Sequence, residues 1–446
     1  MSLSIKPLNC YQCASCYEKN IKHTEWNIDR VLETLKIETK KQIDGKSPKE
    51  IEKMQVPTLH GGEPLLLPIK DIEKILEYIR TIFGRTAIQT NLIHLNDRHI
   101  ELFGRYNTHI GISIDGTDMK TNRGRFPENV TDNEISGGTA KVLNNITRLK
   151  EALRYNKGSN VHLSCIMVLR KYNANHIVKI IRELSTMGIN SFRVNPGIVY
   201  DEKLREKEEV TSGLLFMAYR NIFKSLSFFE SKKIAIKPVQ DIIDGLFCHP
   251  GNMSCTFGKC DPFSTNAEQT ICGDGSTGGC LHPAAAIDGL QILRAKKQNF
   301  NRYEILNKLK HKTRGCKDCR YWHMCHGGCP GAGTDNEWRN KTRFCNGLHM
   351  FYEYLYRHFK TLLPNVYLTP DFYPNAPIKE IMARSISDSV NSANYKKNLQ
   401  QMISDHNKKN KDKTPGNKKS KWIPVRDHDD SNSAEWRKLN PGWSKK

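Results

Sequence analysis

The hydrophobic pattern of the first two hundred residues alternates between two periods. Short β-rich apolar runs occur at 3–6, 56–60, 86–89, 109–114, 162–169 and 191–194. Between them lie stretches of helical spacing, at 28–41, 69–83, 97–103, 139–155 and 175–187. In Ile72, Ile75, Leu76 and Ile79 the steps are three, one and three, which sets all four side chains on one buried helical stripe. Six strand–helix repeats predict an α/β fold with a parallel sheet and helices outside it, either a barrel or an open doubly wound sheet. In both, a site is expected at the carboxyl ends of the strands.

Beyond residue 200 the pattern changes. Residues 210–246 read as helical. From 249 to 333 the chain is rich in Cys and Gly and cannot bury much apolar surface, so metal clusters are the expected source of its stability. A helix is predicted over 345–362. The remainder, 363–446, holds one helical stretch (378–406) and then a Lys/Asn/Asp/Ser-rich segment expected to be disordered, whose Trp422, Trp436 and Trp443 are suited to docking on the protein or a partner.

Composition narrows the class. A chain of 446 residues accommodates two or three domains. It has no run of eighteen apolar residues, so no transmembrane helix is predicted, and residues 1–9 lack the features of a secretory signal. A cytoplasmic protein without a membrane partner is expected. Fourteen cysteines in a reducing compartment point to metal binding or catalysis rather than to disulfides. The net charge of +22 suggests an anionic partner: nucleic acid, an acidic peptide or a membrane surface. Residues 395–446 carry fourteen Lys/Arg against six Asp/Glu, which also fits a solvated tail with no specific ligand.

Cys10, Cys13 and Cys16 follow the first predicted strand. Thiolates at this spacing converge on one metal centre. It is either tetrahedral zinc, with His23 available as a fourth ligand, or a [4Fe–4S] cluster with one iron left open. The next strands end in His60-Gly61-Gly62-Glu63-Pro64 and Gln89-Thr90-Asn91, and the fourth contains Ser113-Ile114-Asp115-Gly116. All face the same mouth as the triplet. Glycines allow close backbone approach and Glu63 can pair with an ammonium group.

Together and in this order these segments resemble the radical S-adenosylmethionine (radical SAM) superfamily, although the usual Cys-x3-Cys-x2-Cys reads here as Cys-x2-Cys-x2-Cys. The resemblance implies a partial (β/α)6 barrel in which Cys10, Cys13 and Cys16 hold a catalytic cluster whose open iron chelates S-adenosylmethionine. Gly61, Gly62, Glu63, Asn91, Ser113, Asp115 and Arg125 match positions that bind this cofactor in the family. Glu63 corresponds to the contact with the methionyl amine and Arg125 to the contact with its carboxylate. One-electron cleavage of the sulfonium bond then yields a 5′-deoxyadenosyl radical that abstracts a substrate hydrogen.

Toward the C-terminus stand Cys316-x2-Cys319-x5-Cys325-x3-Cys329 and then Cys345, preceded by Cys255, Cys260-x14-Gly275-x4-Cys280. Any one pair would suit zinc. The set of eight resembles the SPASM domain of radical SAM enzymes, which implies two auxiliary [4Fe–4S] clusters and three clusters in all. Cys255, Cys260, Cys280 and Cys329 would hold the first auxiliary cluster, and Cys316, Cys319, Cys325 and Cys345 the second. Neither then has an open iron, which favours electron transfer or a structural role. Of the three remaining cysteines, Cys165 reads as a buried hydrophobe, Cys272 as an alternative ligand or hydrogen donor, and Cys248 carries no signal.

The domains expected are a radical SAM partial barrel (1–210), a helical connector (211–250), an auxiliary-cluster SPASM domain (251–362) and a basic tail (363–446). The resemblance implies an enzyme that matures peptides or proteins. Sulfatase-maturing members carry an aspartate directly after the cysteine matching Cys280; here Leu281 and His282 follow, His282 being a candidate base. The expected function is modification of a ribosomally made precursor peptide, first by cross-linking; formylglycine formation in a sulfatase and peptide epimerisation, with Cys272 or Cys165 as hydrogen donor, are the alternatives. Partners implied are the precursor peptide, an electron donor such as flavodoxin or ferredoxin, and a separate leader-recognition protein. With nine residues before Cys10, no N-terminal leader-binding domain is expected. A zinc-dependent nucleic-acid binder is the non-enzyme alternative, and it leaves the Gly-Gly-Glu segment and the strand–helix repeats unused.

Overall fold

The computed structural model describes residues 2–5, 25–155, 161–247, 268–278, 302–312 and 314–372. These fall in one compact unit, Met1–Met382. The cysteines 10, 13, 16, 248, 255, 260 and 280, with His23, Leu281, His282, the helix expected over 378–406 and the three tail tryptophans, lie outside the described residues.

The six predicted strands form, with small shifts of boundary: β1 (Ser2–Ile5), β2 (Thr58–Leu59), β3 (Thr86–Thr90), β4 (Thr108–Ser113), β5 (Leu163–Leu169) and β6 (Ser191–Pro196). They lie side by side in chain order and all parallel. Sequential order without a reversal excludes the doubly wound alternative, because right-handed crossovers that never change direction put every helix on one face. That face is apolar: Leu3, Ile5, Leu59, Ile88, Ile110, Ile112, Met167, Phe192 and Val194 are all essentially inaccessible.

The helices that cover it include α1 (Ile28–Ile43), α2 (Ile69–Phe83), α3 (Asp97–Arg105), α4 (Asp132–Tyr155) and α5 (Ile177–Thr186). The stripe expected on α2 is buried, and Gly84 ends that helix in a left-handed conformation. Helix α4 starts seven residues before the expected Thr139. Gly137-Gly138 reads as a break, but Glu134 and Thr131 cap each other in a reciprocal box, and Gly138 leaves room for the Phe126 ring.

Residues 210–246 are not wholly helical. Helices α6 (Ser212–Lys224) and α7 (Val239–Leu246) flank a strand, β7 (Ala235–Lys237), parallel to β6. Three residues are too few for a period-2 signal. On the other edge of the sheet, β8 (Glu268–Ile271) pairs parallel to β1 and turns into β9 (Thr277–Gly278). The sheet therefore has nine strands, ordered β7-β6-β5-β4-β3-β2-β1-β8-β9.

The C-terminal cysteine region contains a short helix, α8 (Arg302–Lys308), and ends in α9 (Cys345–Leu362), the span its pattern predicted. Helix α9 packs on α6 through the edge-to-face pairs Tyr219–Phe351 and Phe223–Phe359. The polar chain between Val199 and Val210 also reaches this region: Arg205 and Arg343 both donate to Asn336 Oδ1, at 2.8 and 3.2 Å. Among the described residues no helix is long and apolar enough to cross a membrane.

Candidate active site and cysteine cavity

The carboxyl ends of β1 to β4 open on one mouth. The chain leaving β1 starts beside the Gly-Gly-Glu segment, because His60 N donates to Ile5 O at 2.8 Å. Gly61 and Gly62 take φ of +96° and +56°, which a side chain would strain. The turn delivers Glu63 into the interior, 2% exposed. Its carboxylate accepts from Thr90 Oγ1 (2.6 Å), Asn91 N (2.8 Å) and Leu65 N (3.1 Å). Asn91 thus contributes its backbone here, while its side chain caps the turn at Ile93 N.

Burial raises the Glu63 pKa, and the three hydrogen bonds only partly offset it. Among the described residues no Lys, Arg or His pairs with it. A buried carboxylate without a counter-ion fits a site for a cationic ligand group.

Arg125 stands at the end of β4. Its Nη2 donates to Asp115 Oδ1 (2.6 Å) and to Ile166 O (3.0 Å). Asp115 is wholly enclosed, and the same Oδ1 accepts from Val168 N at 2.7 Å. The structure places Asp115 behind Arg125, where it orients the guanidinium, rather than at the mouth. Ser113 accepts from Gln89 Nε2 at 2.8 Å; that contact needs Gly111, since a Cβ there would fall 2.0 Å from Gln89 Oε1. The Arg125 guanidinium, held in place by Asp115, and the enclosed acid Glu63 match the two charged ends of an amino acid.

Cys165 lies on the helix-covered face of β5. Burial pushes its thiol up to about 12, so it stays protonated. Cys272, partly exposed, opens the turn between β8 and β9, which is tied to α1 by Asn27 N to Gly273 O and Thr34 Oγ1 to Gly275 O, both 2.7 Å.

A second site lies in the C-terminal region. Cys316, Cys319, Cys325 and Cys345 line one cavity, together with His311, Tyr321 and Tyr352. Cys329 lines a different one, against Pro196 and Ile198 at the end of β6. Among the described residues no three Cys, His, Asp or Glu side chains stand close enough to share a single metal ion. Burial, and then the neighbouring thiols, push Cys325 up to about 12; burial pushes Cys345 up to about 11. Four thiols crowded around one cavity suit a multinuclear cationic core, which would hold them as thiolates and offset the repulsion between those charges.

Three residues here escaped the sequence reading. Thr90 carries the shortest bond to Glu63 and was flagged only by its place beside Asn91. His311 Nε2 lies 3.3 Å from Cys345 Sγ, and burial, with Lys341 nearby, pushes its imidazole down to about 4. The neutral ring can donate to a thiolate. Arg302 is inaccessible and its guanidinium donates to the carbonyls of Trp338, Gly328, Gly327 and Asn340, at 2.7 to 3.3 Å. It ties the Cys325–Cys329 turn to the loop that leads into Cys345. Nothing in its sequence surroundings signals that role.

A parallel half-barrel with an acid and a guanidinium at its carboxyl mouth, joined to a cysteine-lined cavity, defines an enzyme core built around a cofactor. Residues 8–184 match the model of the radical SAM superfamily, so the chain carries a radical SAM domain and is an enzyme. The superfamily implies a [4Fe–4S] cluster and S-adenosylmethionine. The chain is 23% identical over 378 residues to the cysteine-type anaerobic sulfatase-maturating enzyme of Clostridium novyi (strain NT), covering 79% of this chain and 94% of that protein. It is 19% identical over 394 residues to the Clostridium perfringens (strain 13 / Type A) enzyme of the same name, covering 82% and 99%. Its fold is that of native anSMEcpe with bound AdoMet and Cp18Cys peptide, with a TM-score of 0.59 at 19% identity over 82% of this chain and 99% of the other.

Glu63 sets a pH dependence. Its folded pKa lies above its unfolded value, so its ionisation weakens the fold. Stability from this group is full at low pH and falls as pH rises through the folded value. Affinity for the cofactor should run the other way, because the ammonium group needs the carboxylate. Glu63→Gln is expected to weaken S-adenosylmethionine binding about 10-fold to 100-fold, the scale of a lost charged hydrogen bond, and to flatten the pH dependence of that binding, as isothermal titration would show.

Proposed function

We propose that this enzyme matures a ribosomally synthesised peptide, forming a side-chain cross-link. The observation that carries the reading is the four-thiol cavity. Its cysteines are all available to one auxiliary cluster, leaving that cluster no vacancy for substrate and suiting it to electron transfer. Forming a bond between two substrate atoms removes two hydrogens: one leaves as an atom, the other as a proton and an electron, and the electron needs an acceptor. Epimerisation is redox-neutral and needs none.

Cys10, Cys13 and Cys16 would hold the catalytic cluster, Glu63 the amine of S-adenosylmethionine and Arg125 its carboxylate; together the two cofactors supply one-electron hydrogen abstraction. Asp115 and Asn91 orient these groups, and Ser113 and Gln89 line the mouth. Cys255, Cys260, Cys280 and Cys329 would hold the first auxiliary cluster within a SPASM domain over 251–362, after a barrel at 1–210 and a connector at 211–250. A flavodoxin or ferredoxin would deliver the priming electron, and a separate protein would present the leader.

Sulfatase maturation is the second reading. Similarity over nearly the whole length of two sulfatase-maturating enzymes supports it; Leu281, where an acidic base is expected, speaks against it. The test is anaerobic co-expression with each short reading frame flanking its gene, and incubation with a Cys-containing sulfatase peptide, each read by intact mass. Cross-linking predicts a product lighter by two hydrogens with all sulfur kept. Loss of sulfur from the sulfatase peptide would replace the first reading with the second.

A further inference from the structure

Side chains alternate across a strand, so the face of β3–β7 opposite the helix-covered one lines the hollow of the half-barrel. Its polar positions include Gln89, His109, Ser113, Arg193, Asn195 and Lys237, and no Asp or Glu sits on that face of these strands. Register joins Ser113 to Ile166, Ile166 to Arg193 and Arg193 to Lys237. Two cations therefore stand on neighbouring strands about 4.8 Å apart.

Lys237 Nζ lies 3.2 Å from Asp241 Oδ1. Arg193 has no hydrogen bond or ion pair among the described residues, and it is only partly exposed. Two residues further on, the Asn195 Oδ1 is buried and accepts nothing. Losing hydration without gaining a partner is costly for the Asn195 oxygen, and the Arg193 guanidinium keeps its charge open to a ligand. A guanidinium fork suits a carboxylate, and a lone amide oxygen suits an N–H donor. A peptide bearing an acidic side chain supplies both.

The cofactor does not account for this end of the hollow. Glu63 and Arg125 take its two charges, and Arg193 stands on β6, one strand beyond Ile166, whose carbonyl Arg125 binds. We infer that the substrate is an acidic peptide: an Asp or Glu side chain seats on Arg193, the cation of this face that Asp241 does not already pair, and a backbone N–H of the peptide donates to Asn195 Oδ1. This rests on the peptide-maturase reading and adds the substrate's chemical class.

The test uses the anaerobically reconstituted holoenzyme with S-adenosylmethionine and a displayed library of random peptides. Wild-type enzyme is expected to enrich sequences with Asp or Glu at one fixed position. In the best of them, Glu→Gln or Asp→Asn should weaken binding about tenfold or more against wild type and leave binding to Arg193→Gln unaffected. Arg193→Lys, which keeps the charge and loses the fork, should show an intermediate penalty, and it serves alone if the glutamine variant fails to fold. Enriched peptides without a fixed acid, or an equal penalty against wild type and variants, overturn the assignment of Arg193. A library that yields no binder overturns the peptide substrate itself.

Discussion

Replacing Cys10, Cys13 and Cys16 together by alanine is expected to lower 5′-deoxyadenosine release from S-adenosylmethionine by about a thousandfold or more, a barrier change of about 4 kcal/mol. The chain leaves β1 at Ile5, hydrogen-bonded to His60 at the entrance of the Gly-Gly-Glu turn. The chain that leads toward the triplet therefore leaves β1 next to the turn that carries Glu63. Without the thiolates nothing delivers an electron to the sulfonium bond. Chromatography of the nucleoside products after chemical reduction checks the rate. Iron should fall by about four atoms and leave about eight. Cleavage at the wild-type rate in the triple variant would remove the catalytic cluster from these cysteines.

The second large effect is expected at the cysteine cavity. Cys319→Ala combined with Cys325→Ala should release about four irons and cost several kcal/mol, about a third of what a structural metal site contributes. The segment has little else to hold it. Helix α8 spans seven residues, and Arg314, Asp318, His326, Asp335 and Asn336 all take positive φ. Each such residue costs about 1 kcal/mol or more, which buried contacts and the Arg302 bonds only partly offset. Iron analysis and limited proteolysis across 302–345 would register both losses. Cys165→Ala is the control: its thiol faces the helices, and iron content should not change. A double variant that keeps its full iron would show that this cavity holds no cluster.

Much of this architecture was legible in the chain. Strands β3 to β6 and helix α9 bury periodic runs, and the shorter β1 and β2 are marked by their place in the strand–helix repeat, so these patterns survive without tertiary context. Elements β7, β8 and β9 were not visible, because two to four residues cannot show a period and each exists only by pairing with a strand already in place. The start of α4 was hidden by Gly137-Gly138, where packing against Phe126 outweighs a poor helix propensity.

The site divides in the same way. Glycines, cysteines and Glu63 are chemically conspicuous, and their spacing on a single chain suffices to name the radical SAM class. Which groups surround them is a matter of distant residues meeting. Thr90 reaches Glu63 across 27 positions, Arg302 gathers carbonyls from two loops, and Arg193 meets Lys237 only through the register of β6 and β7. By itself the sequence determined the radical SAM class, since thiolate spacing and Gly-Gly-Glu are local features of the chain. Tertiary structure alone decided where Asp115 stands, which four thiols share a cavity and which cation in the hollow lacks a partner, because burial and pairing are properties of neighbours in space.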